Sequence, residues 1–354
     1  MGIDDIRREI DELDAAILEL LNKRAAKAIE IGQLKKEGDR EVFDPARERR
    51  ILDRLDELNA GPLPTAAVHD IYGAMFAANR LLEKQLAIAY YGPAGSFTHI
   101  AARKKFGSGA DLRPYDAIAD VFLAVEKKEA DFGVVPIENT TAGVVPLTLD
   151  AFAESKLLIC AEVYVDIEHY LLSKSPTLEG IARVYSHPQS IEQCRIWLRA
   201  NLPGVETVPV GNNARAAQLA ANEPEAAAIG PEVAGELHGV PTLRAKIQDM
   251  ADNRTRFVVI GSLATEPSGT DRTSLLFAVP HKAGALHSAL GVLHSHEINM
   301  TFIQSHPTKQ TPWEYMFFVD VQGHQTDSRL SRALHELRDH TLVLRVLGSY
   351  PEGQ

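Results

Sequence analysis

The sequence predicts a multidomain protein, all-α in its first quarter, α/β through its middle and α+β at its end. Three observations carry this reading. The hydrophobic period changes twice along the chain, and the last segment orders its elements as βαββαβ. The length of 354 residues, at roughly 150 per domain, makes two or three domains.

Composition narrows the class. Apolar residues make up 45% and charged residues 24%, ordinary for a folded globular protein. Lys and Arg number 37 against 48 Asp and Glu, a net charge of −11, which argues against sequence-blind nucleic-acid binding. There is no run of about 18 apolar residues to span a membrane. The charged start MGIDDIRREIDELD does not read as a secretory signal. Cys160 and Cys194 lie far apart without CxxC spacing, so neither a disulfide framework nor a thiolate metal site is expected, and a reducing cytoplasm is the expected compartment.

Residues 1–85 read as helix alone. Ile3, Ile6, Ile10, Leu13, Ile17 and Leu20 recur in alternating steps of three and four, the stripe of a long amphipathic helix. The stripe continues through Ile31 and Leu34 and is expected to stop at Gly38 as a C-cap. Phe43-Asp44-Pro45 starts a second helix, with Asp44 as N-cap and Pro45 at the first helical position. Gly61-Pro62-Leu63-Pro64-Thr65 breaks it, and Thr65 is expected to cap a third helix reaching about residue 85. A first helix of about 34 residues is roughly 50 Å long, and two shorter helices do not cover its stripe. The helical segment is therefore expected to form a homodimer or a higher homo-oligomer.

Residues 86–262 switch to short apolar runs alternating with helical patterns, an α/β organisation. A strand at 86–91 leads through the turn Gly92-Pro93-Ala94-Gly95 into a helix from near Ser96. Further strands are expected at 132–136, 157–165, 183–185, 226–229 and 256–260, with helices at 120–129 and 190–201. Residues 263–271, containing Pro267-Ser268-Gly269, read as a linker. The segment 271–354 then gives strand 273–279, helix 284–295, strands 299–305 and 315–321, helix 327–340 and strand 342–349, a ferredoxin-like order.

The helical segment carries a charged seam. Positions 3, 10, 17, 24 and 31 read Ile, Ile, Ile, Arg, Ile, so Arg24 interrupts a core-facing stripe. A buried guanidinium must meet a carboxylate or a bound anion. Lys35 lies about three turns further along the same side. By spacing alone Arg24 is either a register-fixing polar residue or an anion ligand. The runs IRREIDELD, NKRAAKAIEIGQLKK and FDPARERRILDRL resemble the all-helical chorismate mutase family. That resemblance implies an anion site built from Arg24, Lys35 and Arg47, with Arg7 reaching into a partner subunit's site. It also implies that Asp44 orients the substrate hydroxyl, and that Asn79 and Glu83 occupy the last-helix positions. Glu83 stands where many members have Gln, and Asn79 where Ser is usual. Chorismate rearranges in a pericyclic step, so held carboxylates and a donor at the ether oxygen suffice, and no cofactor or metal is expected. A Glu donates only when protonated, and its free value lies near 4.3. Burial is therefore expected to raise Glu83.

In the middle segment, polar groups gather at strand ends, where α/β proteins bind ligands. The turn Gly92 to Thr98 joins a strand to a helix N-terminus, either an ordinary capped turn or an anion cradle. It lacks the Gly-Lys-Ser/Thr ending of a Walker loop. Taken together, GPAGSFT, PIENTTAG, SHPQ and TRF resemble the prephenate dehydratase family. The resemblance implies two α/β lobes around a cleft, like a periplasmic binding protein, with the chain returning to the first lobe near TRF. It implies Thr255 as the catalytic residue and Ser96, Thr98, Asn139, Ser186 and Gln193 as substrate-binding residues. Asn213 stands where Ser or Thr is expected.

The tail resembles the regulatory ACT domain, which implies phenylalanine as effector and Gly284, Ala285, Leu286, Gln304 and Ser305 as its contacts. Here GALH replaces a motif that usually ends in a β-branched residue, and QSHP replaces Glu-Ser-Arg-Pro. The tail is rich in histidine (His281, His287, His294, His296, His306) but lacks zinc-site spacing, so no metal is expected. The whole implies an enzyme with chorismate and prephenate as its substrates and no nucleic-acid or membrane partner. A ligand sensor with the same three parts is the competing reading. It has no need of Arg24, Lys35 and Arg47 in helical registration, nor of Thr255.

Overall fold

The long N-terminal stripe becomes one helix, α1 (Ile3–Glu37), about 52 Å long from its 35 residues. This computed structural model describes residues 2–37, 41–307 and 315–353, so the expected cap at Gly38 lies outside the described residues. Helix α2 (Pro45–Leu58) starts as expected, with the Asp44 carboxylate accepting from the Arg47 backbone N–H at 2.8 Å. Helix α3 (Thr65–Glu83) corrects one detail: Thr65 is already helical and Pro64 is the N-cap, its carbonyl accepting from Val68 N–H. The C-terminal part of α1 packs on α3, with Arg24 over the Phe76 ring and Gly32 against Glu83. Ile3, Ile6, Ile10, Leu13, Ile17 and Leu20 remain exposed.

The middle segment folds into two lobes. The first contains β1 (Ala87–Tyr91), α4 (Phe97–Phe106), β2 (Asp111–Tyr115), α5 (Ile118–Glu126), β3 (Phe132–Asn139), β4 (Gly143–Val144), α6 (Pro146–Glu154) and β5 (Leu158–Asp166). The second contains β6 (Tyr170–Ser173), β7 (Arg183–Ser186), α7 (Pro188–Gln193), α8 (Arg195–Asn201), β8 (Glu206–Pro209), α9 (Asn213–Asn222), β9 (Ala226–Gly230), α10 (Glu232–His238) and β10 (Thr242–Arg244). The chain then returns, and β11 (Arg254–Gly261) inserts antiparallel between β3 and β5, giving the order β2-β1-β3-β11-β5 with β4 beside β3. The second sheet runs β10-β6-β9-β7-β8. Two adjacent crossings join the lobes, tied by Ile167 N–H to Asn253 O at 2.7 Å and Ile247 N–H to His169 O at 2.8 Å.

The helix expected at 190–201 is two helices, α7 and α8. The Asp249 carboxylate, from the second crossing, accepts from the backbone N–H groups of Ile196 and Trp197 at 2.9 and 3.1 Å. It thereby caps a fresh helix start just after Cys194.

The tail forms β12 (Asp271–Ala278), α11 (Ala285–Ser295), β13 (Met300–Pro307), β14 (Tyr315–Gln322), α12 (Ser328–Leu337) and β15 (Val343–Pro351), with sheet order β13-β14-β12-β15. Strand β11 is buried on both faces, which explains its unbroken apolar run. Phe257 and Val259 pack with Phe43, Phe106 and Phe132 on one face. Val258 and Ile260 pack with Phe152 and with Leu276, Phe318 and Leu347 of the tail on the other. The first lobe's sheet thus has helix α4 and Phe43 on one side and the tail sheet on the other.

The approach of β15 to β5 depends on Gly348. Its φ is +152°, and a Cβ there would overlap the Ile159 carbonyl oxygen. Gly348→Ala is expected to destabilise the chain by at least about 1–3 kcal/mol through backbone strain. A calorimetric melt showing an unchanged midpoint would contradict this.

Candidate active sites

A cavity of about 510 Å³ separates the two lobes. The ends of β3 and β11 and the starts of α4, α6, α7 and α9 meet there. Thr255, at the start of β11, pairs in register with Asn139 at the end of β3. The Asn139 amide nitrogen donates to Thr255 Oγ1 at 2.8 Å and to Asn253 Oδ1 at 2.8 Å. Its carbonyl oxygen accepts from the backbone N–H groups of Thr141 and Ala142 and from the Thr141 hydroxyl, at 2.7–3.0 Å. Those two backbone donors fix which way the amide points. With a lone pair of Thr255 occupied by an incoming N–H, its own hydroxyl proton remains free to donate.

Gln193 bridges the lobes. Its amide donates to Thr141 Oγ1 at 3.2 Å, and its carbonyl lies 2.8 Å from His169 Nε2. A carbonyl only accepts, so Nε2 carries the proton and the buried Nδ1 is left without a partner. Burial holds both His169 and His187 below the ordinary imidazole value, with the Gln193 bond pulling His169 partly back. Both are therefore neutral at pH 7. Among the described residues lining this cavity there is no Lys or Arg, and Asp116 is its one carboxylate. What faces an anion is a set of helix N-termini. Ser96 caps α4 by accepting from His99 N–H at 3.2 Å, Asn212 caps α9 by accepting from Arg215 N–H at 2.8 Å, and Thr98 lines the cavity on the first turn of α4.

Of the residues singled out in sequence, Thr255, Asn139, Ser96, Thr98 and Gln193 all line this cavity. Ser186 does not. It is 0% exposed, and its hydroxyl contacts Asn213 Oδ1 at 3.1 Å and Ile229 O at 2.9 Å. The residue at the cavity wall is Asn213, which also accepts from His187 N–H and donates to Ser190 Oγ at 2.9 Å. Sequence reasoning also passed over His169 and Ser190. The signal for His169 would have been a lone histidine at the crossing between two strands.

The helical segment gathers a second set. Lys35 Nζ donates to Val42 O at 3.1 Å, joining the end of α1 to the approach of α2, where Asp44 and Arg47 sit. On α3, Asn79 Nδ2 and Glu83 Oε2 are buried with no hydrogen-bond partner. Burial raises Glu83 above the ordinary carboxylate value, while the charges of Lys35 and Arg80 pull it back. Gly32 makes room for it, since a Cβ there would lie 2.8 Å from Glu83 Cγ. Arg24 stacks on Phe76, 5.5 Å from its centroid, and has no carboxylate partner among the described residues. Arg7 is not brought in. It is paired with Asp4 at 3.4 Å, and 17 helical residues, about 25 Å, separate it from Arg24 on the same helix.

A second cavity, of about 570 Å³, lies in the tail and is lined by Gly284, Ala285, Leu286, His281, Tyr315 and Phe317 among others. Gln304 and Ser305 lie outside it, on the outer strand β13. Next to them His306 Nε2 meets Asp150 of the first lobe at 2.7 Å. Both cysteines are buried and free, and burial raises both thiols, that of Cys160 to about 12. Among the described residues no helix is long and apolar enough to cross a membrane.

Comparison with known proteins covers every segment. Residues 6–84 match the family model for chorismate mutase type II, 88–265 that for prephenate dehydratase and 273–339 that for the ACT domain. A bifunctional chorismate mutase/prephenate dehydratase of Aquifex aeolicus is 44% identical over 352 residues, spanning 98% of this chain and 97% of its own. Among solved structures, the prephenate dehydratase of Arthrobacter aurescens in complex with L-Phe is 34% identical, with TM-score 0.70 over 75% of this chain and 90% of its own. GqqA, described as a novel type of quorum quenching acylase, is 31% identical with TM-score 0.68, over 75% of this chain and 97% of its own. With near-complete coverage at this identity, the chain belongs to the family of bifunctional chorismate mutase/prephenate dehydratases.

Proposed function

We propose that the helical segment rearranges chorismate to prephenate, and that the cleft at Thr255 turns prephenate into phenylpyruvate. The observation carrying the second step is the Asn139–Thr255 bond at the cavity wall, which leaves the Thr255 hydroxyl proton free to donate. In the reaction the bond from the ring to its carboxylate breaks, carbon dioxide departs and the electron pair enters the ring. The ring hydroxyl leaves as water, taking up one proton that solvent supplies. Thr255 holds that hydroxyl by a positioned hydrogen bond. Helix N-termini and hydroxyls bind the carboxylates without a cationic side chain, so the departing carboxylate is not anchored by an ion pair that would oppose its loss. Ser96, Thr98, Asn139, Gln193 and Asn213 bind and orient the substrate, with Ser186 supporting Asn213.

An acyl-transfer reading, prompted by the acylase relative, lacks an activated nucleophile. Thr255 Oγ1 accepts from an amide, and of the two cavity histidines His169 is bonded to Gln193 while His187 accepts from Gln189 N–H. Thr255→Ala is expected to lower dehydratase turnover by about tenfold or more while sparing the mutase. Parallel assays in which both activities fall together would refute this assignment.

In the mutase site, Arg24, Lys35 and Arg47 hold the two carboxylates, Asp44 and Asn79 contact the hydroxyl side, and protonated Glu83 donates to the ether oxygen. The exposed stripe of α1 supports a dimer in which Arg7 serves the partner's site. The tail cavity at Gly284, Ala285 and Leu286, together with the L-Phe complex of the Arthrobacter relative, supports phenylalanine as effector. A reducing cytoplasm suits the two free thiols. Because the Glu83 value is raised, its protonated form persists below that value and disappears as pH rises through it. Mutase kcat is therefore expected to decline toward alkaline pH, and Glu83→Gln to flatten the profile. Identical profiles for both proteins would exclude Glu83 as the donor.

A further inference from the structure

We propose that Arg256 is a positioning residue for the dehydratase reaction, through which the C-terminal sheet sets the placement of Thr255. The proposal rests on the reading of Thr255 given above. Successive residues of a strand face opposite ways, so while Thr255 meets the cleft, Arg256 turns to the face covered by the tail. Its side chain is 4% exposed. All three of its nitrogens are held: Nε by Glu162 Oε2 at 2.7 Å, Nη1 by Asp320 Oδ2 at 2.6 Å and Nη2 by the Tyr350 hydroxyl at 2.8 Å. Glu162 belongs to β5 of the first lobe, whereas Asp320 and Tyr350 belong to β14 and β15 of the tail.

The acceptors are themselves fixed. Ser274 Oγ lies 2.5 Å from Asp320 Oδ1 and 2.6 Å from the Tyr350 hydroxyl. Arg272 reaches Glu162 Oε2 at 3.2 Å, and Gly353 N–H reaches Glu162 Oε1 at 2.7 Å. A planar guanidinium clamped on all three sides has no freedom to re-orient. As a stabiliser such a buried network is close to break-even against apolar packing, so its effect is chiefly geometric. The neighbouring backbone has the matching irregularity. The β11–β3 register jumps between Arg256, opposite Glu138, and Phe257, opposite Pro136, leaving Ile137 as the extra residue of a bulge. A bulge re-aims the side chains beside it. Thr255 is therefore located by two clamps one residue apart, Asn139 on its own side chain and the tail's acceptors on Arg256. A shift of the tail sheet moves the second clamp and with it the threonine.

The test uses the full-length chain, with dehydratase kcat and prephenate KM measured for Asp320→Asn, Tyr350→Phe and Thr255→Ala. Mutase turnover of the same preparations reports folding. Misplacing a catalytic group by about 1 Å costs up to about 100-fold. Asp320→Asn is accordingly expected to lower kcat about tenfold and Tyr350→Phe about threefold, both with KM and mutase turnover unchanged. If Asp320→Asn loses the mutase as well, it has lost its fold and Tyr350→Phe decides alone. Wild-type kcat in the folded variants, or a change confined to KM, overturns the proposal while an impaired Thr255→Ala keeps the site reading. An unimpaired Thr255→Ala overturns both.

Discussion

The architecture turns on β11. It is the last strand to join the first lobe's sheet, it closes the second crossing between the lobes, and it is buried on both faces. A strand in that position is among the least free to move, since apolar contacts and two antiparallel ladders hold it. Thr255 faces the cleft from the start of this strand, so the hydroxyl proposed as the reactive group sits on a strand paired on both sides. The Asn139 amide adds a hydrogen bond to the Thr255 hydroxyl oxygen. The same strand carries Arg256 into the tail interface, so the catalytic strand and the regulatory module share one buried ionic contact.

The two proposed sites would meet a dianionic six-membered ring in opposite ways. In the helical segment the proposed holding is by side-chain cations, and burial raises the Glu83 protonation value against the pull of Lys35 and Arg80. A pericyclic rearrangement keeps both carboxylates, so ion pairs to them are harmless. In the lobed segment one carboxylate must be lost. In the proposed reading, backbone N–H groups at helix starts supply the attraction without an ion pair, in keeping with a cavity whose described lining holds no Lys or Arg.

Much of this was legible in the chain because the signals are local. The three-and-four spacing of isoleucines announced α1, Asp44-Pro45 announced the start of α2, and Ser96 after a glycine turn announced α4. What escaped is long-range. No spacing rule reveals that Asp249 caps α8 from fifty or so residues away, and that contact is what divides the expected helix. Ser186, expected to bind substrate, is held away by the buried carbonyl of Ile229, and the longer amide of Asn213 reaches the wall instead. The Arg256 cluster draws on residues from three separate segments, and Arg256 itself reads in sequence only as part of a motif. Arg7 and the exposed half of α1 are legible in a different sense: their isolation from the rest of the chain is what the proposed second copy would explain.

The most direct test is a crystal structure of the Thr255→Ala protein soaked with prephenate. The expected result has the ring in the interlobe cleft, its hydroxyl-bearing carbon facing residue 255 and its carboxylates at the starts of α4 and α9. Prephenate seated instead among Arg49, Arg80 and Lys105, in the basic groove between the helical segment and the first lobe, would contradict the claim that this enzyme binds the departing carboxylate without cations.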